Sequence, residues 1–261
     1  MKKIFLTGGS GFLGRSILEK LSKKYEICAP TREELNLIQS DRLKSWMKGK
    51  KFDWIINCAV NGGRRTKRDT SEDLYNNVAS LDNLLNFVKD DCKLITFSSG
   101  AEFYKQNDFY GFSKKICTCI IKNKNNVKNL RVYNLFGELG MKDSFVYSTI
   151  KKALKKENII IWENIEFDIY YIEDLINLIE LLIENNTKEY QEVDCVYPIK
   201  YKLSDIATLI KNLCKSSCSI KIEKEGSTSY TGDFQEINNL KLTNLEKSLT
   251  NMIEFINNEK I

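Results

Sequence analysis

The sequence predicts an α/β fold: a doubly wound parallel sheet with a small C-terminal lobe. Three observations point to it. Strand-length apolar runs alternate with helix-period segments from the first residue to about residue 160. A glycine-rich turn stands between the first apolar run and the first helical segment. The 261 residues, 42% hydrophobic and 29% charged, suit one compact unit or a large domain carrying a small lobe.

The strand candidates are Lys2 to Leu6, Tyr25 to Ala29, Trp54 to Cys58, Leu94 to Phe97 and Leu130 to Tyr133. Each is a short, nearly continuous apolar run, as expected of strands covered on both faces. Between them lie amphipathic segments at Phe12 to Lys23, Ser40 to Met47, Glu72 to Val88 and Phe112 to Lys122, with Leu or Ile recurring every three or four residues. Later come a helix at Val146 to Lys155, a strand at Ile159 to Trp162, a helix at Asp174 to Ile183 and a strand at Val193 to Tyr197. Helices at Leu203 to Cys214 and Asn244 to Ile256 close the chain. Some of these segments must return to the first sheet, because five strands leave an edge open. Tyr170, Tyr171, Trp162 and Phe167 read as core packing rather than as a platform for a base.

Composition excludes several chemistries. The chain has 0 histidines, so no Ser-His-Asp triad, His-ligated zinc or imidazole base operates in it. Net charge is +5, from 40 Lys+Arg against 35 Asp+Glu, with both signs interspersed, and does not read as a nucleic-acid binder. No apolar run reaches the ~18 residues that span a membrane, and Met1 to Leu6 is too short for a signal peptide's apolar stretch. The 8 cysteines form no CxxC pair and have no histidine to complete a metal site. They read as reduced core residues of a cytoplasmic protein that binds no metal, Cys117 and Cys119 among the buried ones.

Thr7-Gly8-Gly9-Ser10-Gly11-Phe12-Leu13-Gly14 stands where a tight turn aims backbone N–H groups and a helix N-terminus at a pyrophosphate. Gly8, Gly11 and Gly14 are evenly spaced, and Gly9, Gly11 and Gly14 satisfy the GxGxxG spacing equally well. With Phe12 and Leu13 they form the candidate dinucleotide cradle. A strand serving NAD ends on Asp or Glu, which accepts from the ribose; here the second strand ends Cys28-Ala29-Pro30-Thr31-Arg32. Arg32 is therefore read as the partner of a 2′-phosphate, with Arg15 second, and NADP is preferred over NAD. The alternative leaves Arg32 a solvated loop residue, with Glu33 or Glu34 serving the ribose. The NAD(P)-binding, Rossmann-type domain is placed at residues 1–160, joined by later segments, and a mainly discontinuous substrate lobe at residues 161–261.

Tyr110-Gly-Phe-Ser-Lys114 places Tyr and Lys on one helical face. A phenol with a pKa of about 10 is sluggish at neutral pH, and a nearby ammonium lowers that value. Thr96-Phe97-Ser98-Ser99-Gly100 ends the fourth strand and puts a hydroxyl at the carboxyl edge of the sheet, where ligands bind. Glycine turn, serine strand end and YxxxK, in that order, make a proton-transfer set that needs no histidine.

On these motifs the chain resembles the extended, nucleotide-sugar-modifying branch of the short-chain dehydrogenase/reductase superfamily, over nearly its whole length. Asp53-Trp-Ile-Ile-Asn-Cys58-Ala59 is similar to the strand whose end lines the cofactor's adenosine and ribose. Asn76-Asn77-Val78-Ala79 resembles the branch's helix motif, Arg131-Val-Tyr-Asn134-Leu-Phe-Gly137 its RxxNxxG, and Asp168-Ile-Tyr-Tyr-Ile-Glu-Asp174 its DFxxVxD segment. Thr243 to Phe255 looks like its closing helix. Arg32-Glu-Glu-Leu-Asn36 with Phe52 to Ala59 looks most like the dTDP-4-dehydrorhamnose reductases and GDP-fucose synthases.

The resemblance implies an NADPH enzyme that reduces a 4-keto-6-deoxy nucleotide sugar. Ser99 would polarise the keto oxygen, with Ser98 as the alternative. Tyr110 would protonate that oxygen, and Lys114 would hold the nicotinamide ribose and lower the Tyr pKa. Cys58 and Ala59 would line the cofactor. Ser99, Gly100, Asn134 and Arg64 are read as substrate contacts. The alternatives are turn capping for Asn134 and a solvated loop for the stretch Arg64-Arg65-Thr66-Lys67-Arg68. A homodimer paired through its fourth and fifth helices is also implied.

Departures from the family pattern narrow the reading. GDP-fucose synthases epimerise with a Cys after the Ser pair and a distant His; this chain has Gly100 and no His, which excludes epimerisation by that chemistry. The 4,6-dehydratases place Asp-Glu where this chain has Gly100-Ala101, which disfavours dehydration, although Glu102 follows closely. Ser99 and Tyr110 are closer in sequence than the family pattern leads one to expect, so the intervening loop is trimmed. Two rivals stand beside the reductase: an NAD-dependent nucleotide-sugar 4-epimerase using the same triad, and an NADP-binding regulator without turnover, which has no need of an activated phenol.

Overall fold

The computed structural model describes residues 1–64, 66–185 and 189–258. The chain begins β1 (Lys3–Thr7), α1 (Phe12–Leu21), β2 (Glu26–Cys28), α2 (Ser40–Met47), β3 (Trp54–Asn57), α3 (Ser71–Leu85) and β4 (Lys93–Ser99). There follow α4 (Ala101–Tyr104), α5 (Phe109–Ile121), β5 (Val127–Val132), β6 (Leu135–Phe136), α6 (Phe145–Leu154), β7 (Ile159–Ile161) and β8 (Asn164–Phe167). Last come β9 (Tyr170–Tyr171), α7 (Ile172–Asn185), β10 (Glu192–Cys195), α8 (Leu203–Leu213), β11 (Ile220–Ile222), β12 (Glu225–Tyr230) and α9 (Leu245–Asn258). The chain divides into two compact units, Met1–Val132 with Ile179–Asp194 and Tyr133–Leu178 with Cys195–Ile261.

The first unit is a six-stranded sheet in the order β10-β5-β4-β3-β1-β2. The pairings β1–β2, β1–β3, β3–β4 and β4–β5 are all parallel. The apolar runs predicted this, since strands covered by helices on both faces carry no polar alternation. β10 beside β5 is the late segment that returns to the sheet. Phe5, Leu43, Ile55, Leu81, Leu84 and Leu94 are fully or almost fully buried in one cluster, each burial contributing about 1.5–3 kcal/mol. Thr70 and Asp73 start α3 with a reciprocal capping box, and α3 then packs on α5. Strand order reverses at β1, so the carboxyl ends of β1 and β3 flank the crevice where doubly wound sheets receive ligands.

Two local differences from the sequence reading bear on the site. β4 runs on through both serines to Ser99, and α5 begins at Phe109, so Tyr110 stands in its first turn. A single helical turn, α4, fills the trimmed interval between them.

The second unit is built from three parallel strand pairs, β6–β9, β7–β11 and β8–β12, with helices α6, α8 and α9. Asp174 is wholly buried and accepts from the Tyr197 hydroxyl (2.6 Å), the Thr243 backbone N–H (3.0 Å) and the Thr243 hydroxyl (2.8 Å). One carboxylate thereby ties the start of α7 to the lead-in of α9. Tyr170 and Tyr171 are buried as expected, whereas Trp162 is 76% exposed in the turn after β7. Cys119, expected in the core, lies on the exposed side of α5, and all eight cysteines are free thiols. Among the described residues no helix is long and apolar enough to cross a membrane and no cluster of ligating side chains could hold a metal ion.

Candidate active site

The glycine turn is held from both sides. Gly8 adopts φ +68, and a Cβ there would lie 2.6 Å from the backbone of Cys58 and Ala59. A Cβ on Gly14 would lie 2.2 Å from the Gly8 carbonyl oxygen. These two positions admit only glycine, because β1, α1 and the end of β3 meet there. Gly9 and Gly11 are different: their added Cβ atoms would meet nothing closer than 3.2 Å and 3.4 Å. Gly11 is exposed at the head of α1, where no side chain caps the helix, and Phe12 and Leu13 form its first turn. The open glycine positions and the uncapped N–H groups leave a cradle that suits the pyrophosphate of a dinucleotide. Thr7 braces it, donating to Asn57 Oδ1 (2.6 Å) and accepting from the Ala59 N–H (3.4 Å).

At the end of β2, Arg32 is exposed and its Nη1 lies 3.5 Å from Asn61 Oδ1. Glu34 accepts from the Thr31 N–H (2.7 Å), and the Thr31 contacts hold its carboxyl below the usual glutamate range. Its carboxylate thus caps its own turn, leaving the Arg32 guanidinium and the exposed Glu33 as the charged groups presented there.

Ser99, Tyr110 and Lys114 converge. The Ser99 side chain hydrogen-bonds the Tyr110 phenol and accepts from the Ala101 N–H (3.2 Å). Lys114 Nζ stands 5.6 Å from the centroid of the Tyr110 ring and donates to the Phe97 carbonyl (2.7 Å). Burial pushes the Tyr110 phenol up to about 12, against the opposing pull of the Ser99 bond and with the Asp69 carboxylate and Cys117 adding to the rise. The ammonium of Lys114 does not dominate the phenol as its spacing suggested; it is aimed at the strand carbonyl. Burial lowers Lys114 itself, while Cys117, Glu102 and Cys58 pull it back up. The Cys58 thiol is raised by burial and lowered by Lys114, which places the ammonium within electrostatic reach of the β3 end.

The two serines face opposite ways, as neighbours on a strand must. Ser98 donates to Glu102, which also accepts from Thr118 Oγ1 (2.6 Å) and Arg131 Nε (2.6 Å). Arg131 reaches on to Asp194 and to Glu192 (3.2 Å). Ser98 and Glu102 therefore belong to a buried ion-pair network, not to the site. Gly100 follows Ser99 as the N-cap of α4, its N–H donating to the Val132 carbonyl (3.3 Å).

Arg64 is exposed in the loop after β3 and follows directly on Gly63, which packs against Tyr110; Arg65 lies outside the described residues. Asn134 belongs to the second unit, where its Nδ2 donates to the Asp168 carbonyl (3.1 Å) and its own carbonyl accepts from the Tyr170 N–H (2.7 Å), bonds that tie the lead-ins of β6 and β9 and are too distant in the chain to be a turn cap. Sequence reasoning missed Asn61, Asp69 and the work of Asn77. Buried Asn77 clamps both backbone groups of Asn61 (2.8 and 2.9 Å) and donates to Ser113 Oγ (3.0 Å) on the Tyr110 helix. The Asn76-Asn77 pair was visible in the sequence; its partners, distant in the chain, were not.

Comparison with known proteins shows the family and the fold. The model of the family described as "NAD dependent epimerase/dehydratase family" matches residues 4–195. GDP-L-colitose synthase of Yersinia pseudotuberculosis is 26% identical over 251 residues, covering 81% of this chain and 82% of that protein. A GDP-D-glycero-L-gluco-heptose synthase from Campylobacter jejuni, solved in the presence of NADPH, superposes with a TM-score of 0.80 at 17% identity, covering 99% of this chain and 98% of the other. The dTDP-4-dehydrorhamnose reductase of Bacillus anthracis in complex with NADP gives a TM-score of 0.81 at 18% identity, covering 98% of each chain.

Proposed function

The chain belongs to the NAD dependent epimerase/dehydratase family, and from that premise we propose that it is an NADP-dependent reductase of a 4-keto nucleotide sugar that leaves the other stereocentres alone. The observation that carries this reading is the Ser99–Tyr110 hydrogen bond beside the Lys114 ammonium.

A phenol raised to about 12 keeps its proton at neutral pH, the state required of a donor to a developing alkoxide. Tyr110 Oη hands that proton to the keto oxygen. Ser99, within hydrogen-bond reach of the phenol, stabilises the phenolate left behind and orients the carbonyl. Lys114, anchored on Phe97, adds positive charge beside the ring and would hold the ribose next to the nicotinamide. The dinucleotide, when bound, supplies the hydride. Gly8 to Gly14 would hold its pyrophosphate, Cys58 and Ala59 its adenosine side, and Arg32 the 2′-phosphate. Relatives of similar fold described with NADPH or NADP favour the same cofactor.

Two alternatives of the family weaken on the residues themselves. With 0 histidines the chain has no imidazole for epimerisation. Glu102, the nearest carboxylate to the dehydratase position, is locked on Arg131, Ser98 and Thr118. The first unit is assigned to cofactor and the second mainly to substrate, with Gly100 and Arg64 on the substrate side of the triad. The exposed Phe109 and Phe112 of α5 support a homodimer; because α4 is a single turn, the pairing is placed on α3 and α5 and not on the fourth and fifth helices. Eight free thiols suit the cytoplasm.

The test is incubation with NADPH and a panel of nucleotide-linked 4-keto sugars, following cofactor oxidation and the product by NMR. Stoichiometric oxidation with a single 4-hydroxy product supports the reductase. Tightly bound NAD in the purified protein, with no net oxidation of NADPH, supports the 4-epimerase instead.

A further inference from the structure

The loop after β3 carries two adjacent glycines in left-handed backbone, Gly62 at φ +81 and Gly63 at φ +72. Their surroundings show why. A Cβ on Gly63 would lie 2.8 Å from Cζ of Tyr110 and 2.9 and 3.0 Å from its two Cε atoms, so the Gly63 backbone rests against the hydroxyl-bearing end of the ring. A Cβ on Gly62 would lie 2.6 Å from Asp69 Oδ1. That same oxygen accepts a 2.8 Å hydrogen bond from the Gly63 N–H. The turn is therefore pinned from behind by one carboxylate and pressed in front against one phenol. Asp69 precedes Thr70, the N-cap of α3, so the pin itself stands on a capped helix.

We propose that Asp69 is a positioning residue for Tyr110: it holds the Gly62–Gly63 turn against the phenol, fixing the direction in which the hydroxyl points. This rests on the reading of Tyr110 as the proton donor. Among the described residues four groups face the phenol: Ser99 from β4, Lys114 and Cys117 from its own helix, and Asp69 from the loop. Of the two with fixed charge, Lys114 is committed to the Phe97 carbonyl, and Asp69 opposes ionisation of the phenol. The carboxylate thereby keeps the resting phenol protonated, the form from which a donor starts, while Ser99 and Lys114 offset the charge left when the proton departs.

Asp69→Asn and Asp69→Ala separate the two roles. Asn keeps an oxygen that can accept from Gly63 and loses the charge; Ala loses both. With a 4-keto nucleotide sugar, Asp69→Ala should lower kcat by about tenfold or more, the size of effect a misplaced catalytic group produces, with NADPH affinity within about twofold. Asp69→Asn should keep most of kcat near neutral pH and move the alkaline limb of the pH profile to lower pH, because removing the negative charge eases loss of the phenol proton. The Cζ resonance of Tyr110, assigned with Tyr110→Phe, should begin its alkaline displacement at lower pH in cofactor-free Asp69→Asn than in the unaltered protein. An unchanged titration, or full kcat in Asp69→Ala, overturns the proposal. If the unaltered protein reduces none of the sugars, the reductase reading falls, and the resonance still decides what Asp69 does to Tyr110.

Discussion

The Nε of Arg131 donates to a carboxylate oxygen of Glu102 at 2.6 Å, with both side chains almost sealed from solvent, 8% and 2% exposed. The pair joins the turn after β4 to β5, and Asp194 and Glu192 on β10 complete the shell around the guanidinium. Removing Glu102 leaves the guanidinium with Asp194 and Glu192, but takes away its most deeply buried partner and the acceptor of the Ser98 and Thr118 hydroxyls. Glu102→Ala is thus expected to cost about 1–3 kcal/mol in urea denaturation. Turnover per folded molecule should stay within about twofold, since a structural loss does not remove a transition-state contact. If catalysis collapses while stability holds, Glu102 is an acid–base group and the dehydratase alternative returns.

The opposite facing of Ser98 and Ser99 makes a paired test. Ser99→Ala removes the hydroxyl bonded to Tyr110 and should lower kcat by about a hundredfold or more, as loss of a donor at a developing oxyanion does. Ser98→Ala removes only a donor to Glu102 and should appear chiefly as lost stability of about 1–3 kcal/mol. Steady-state kinetics beside thermal melts read both. Equal kinetic losses from the two variants would show that the strand end has another geometry in solution.

How far the sequence was legible depended on how local each cause is. β1 and β3 follow from apolar runs, and α2 spans Ser40–Met47 as its periodicity predicts; β5 reads Val-Lys-Asn-Leu-Arg-Val and begins at Val127, three residues before its apolar signal. The glycine turn was equally readable, because strand, turn and helix succeed one another without interruption. β12, by contrast, reads Glu-Gly-Ser-Thr-Ser-Tyr and owes its existence to pairing with β8, some sixty residues earlier. Asp69 drew no reading from the sequence, because its meaning lies in Gly63 and Tyr110. Cys119 was misplaced because α5 turns one apolar stripe outward, through Phe109 and Phe112.

That outward stripe gives the prediction on assembly. Phe109 is 43% and Phe112 is 48% exposed, and Tyr75 on the neighbouring α3 is 62% exposed. Large apolar side chains grouped on two adjacent helices are costly to leave in water and mark an association surface. Phe112→Glu should convert a dimer to monomer in sedimentation equilibrium while leaving the melting temperature of the fold nearly unchanged. A chain that is already monomeric, or a variant that stays dimeric, rejects this surface.

The cradle makes a test that needs no substrate. Gly14→Ala drives a methyl group to 2.2 Å from the Gly8 carbonyl and should prevent folding or cost several kcal/mol. Gly11→Ala places its methyl 3.4 Å from that carbonyl at φ −76, a conformation any residue adopts, so the cofactor-free fold should be nearly untouched. Its expected effect is on NADPH, whose phosphates would have to approach the same backbone. Isothermal titration should show affinity reduced by about tenfold or more, the consequence of losing roughly one phosphate hydrogen bond. Undiminished affinity would mean that the pyrophosphate does not pass over Gly11.

The role proposed for Arg32 is tested through the choice of cofactor. Its guanidinium is exposed and held only loosely, 3.5 Å from Asn61, so it can turn to a phosphate without breaking a strong contact. Glu34 is already engaged by Thr31 and is not free to accept from a ribose without uncapping that turn. A charge-assisted bond to a 2′-phosphate contributes about 1.5–3 kcal/mol, so Arg32→Ala should weaken NADPH by roughly tenfold to a hundredfold. NADH, lacking the phosphate, should change by less than about twofold. Binding measured for both cofactors in parallel gives the answer: equal losses would show that Arg32 supports the loop and does not read the phosphate, and a gain for NADH alone would point to repulsion removed from an adenosine ribose rather than attraction lost.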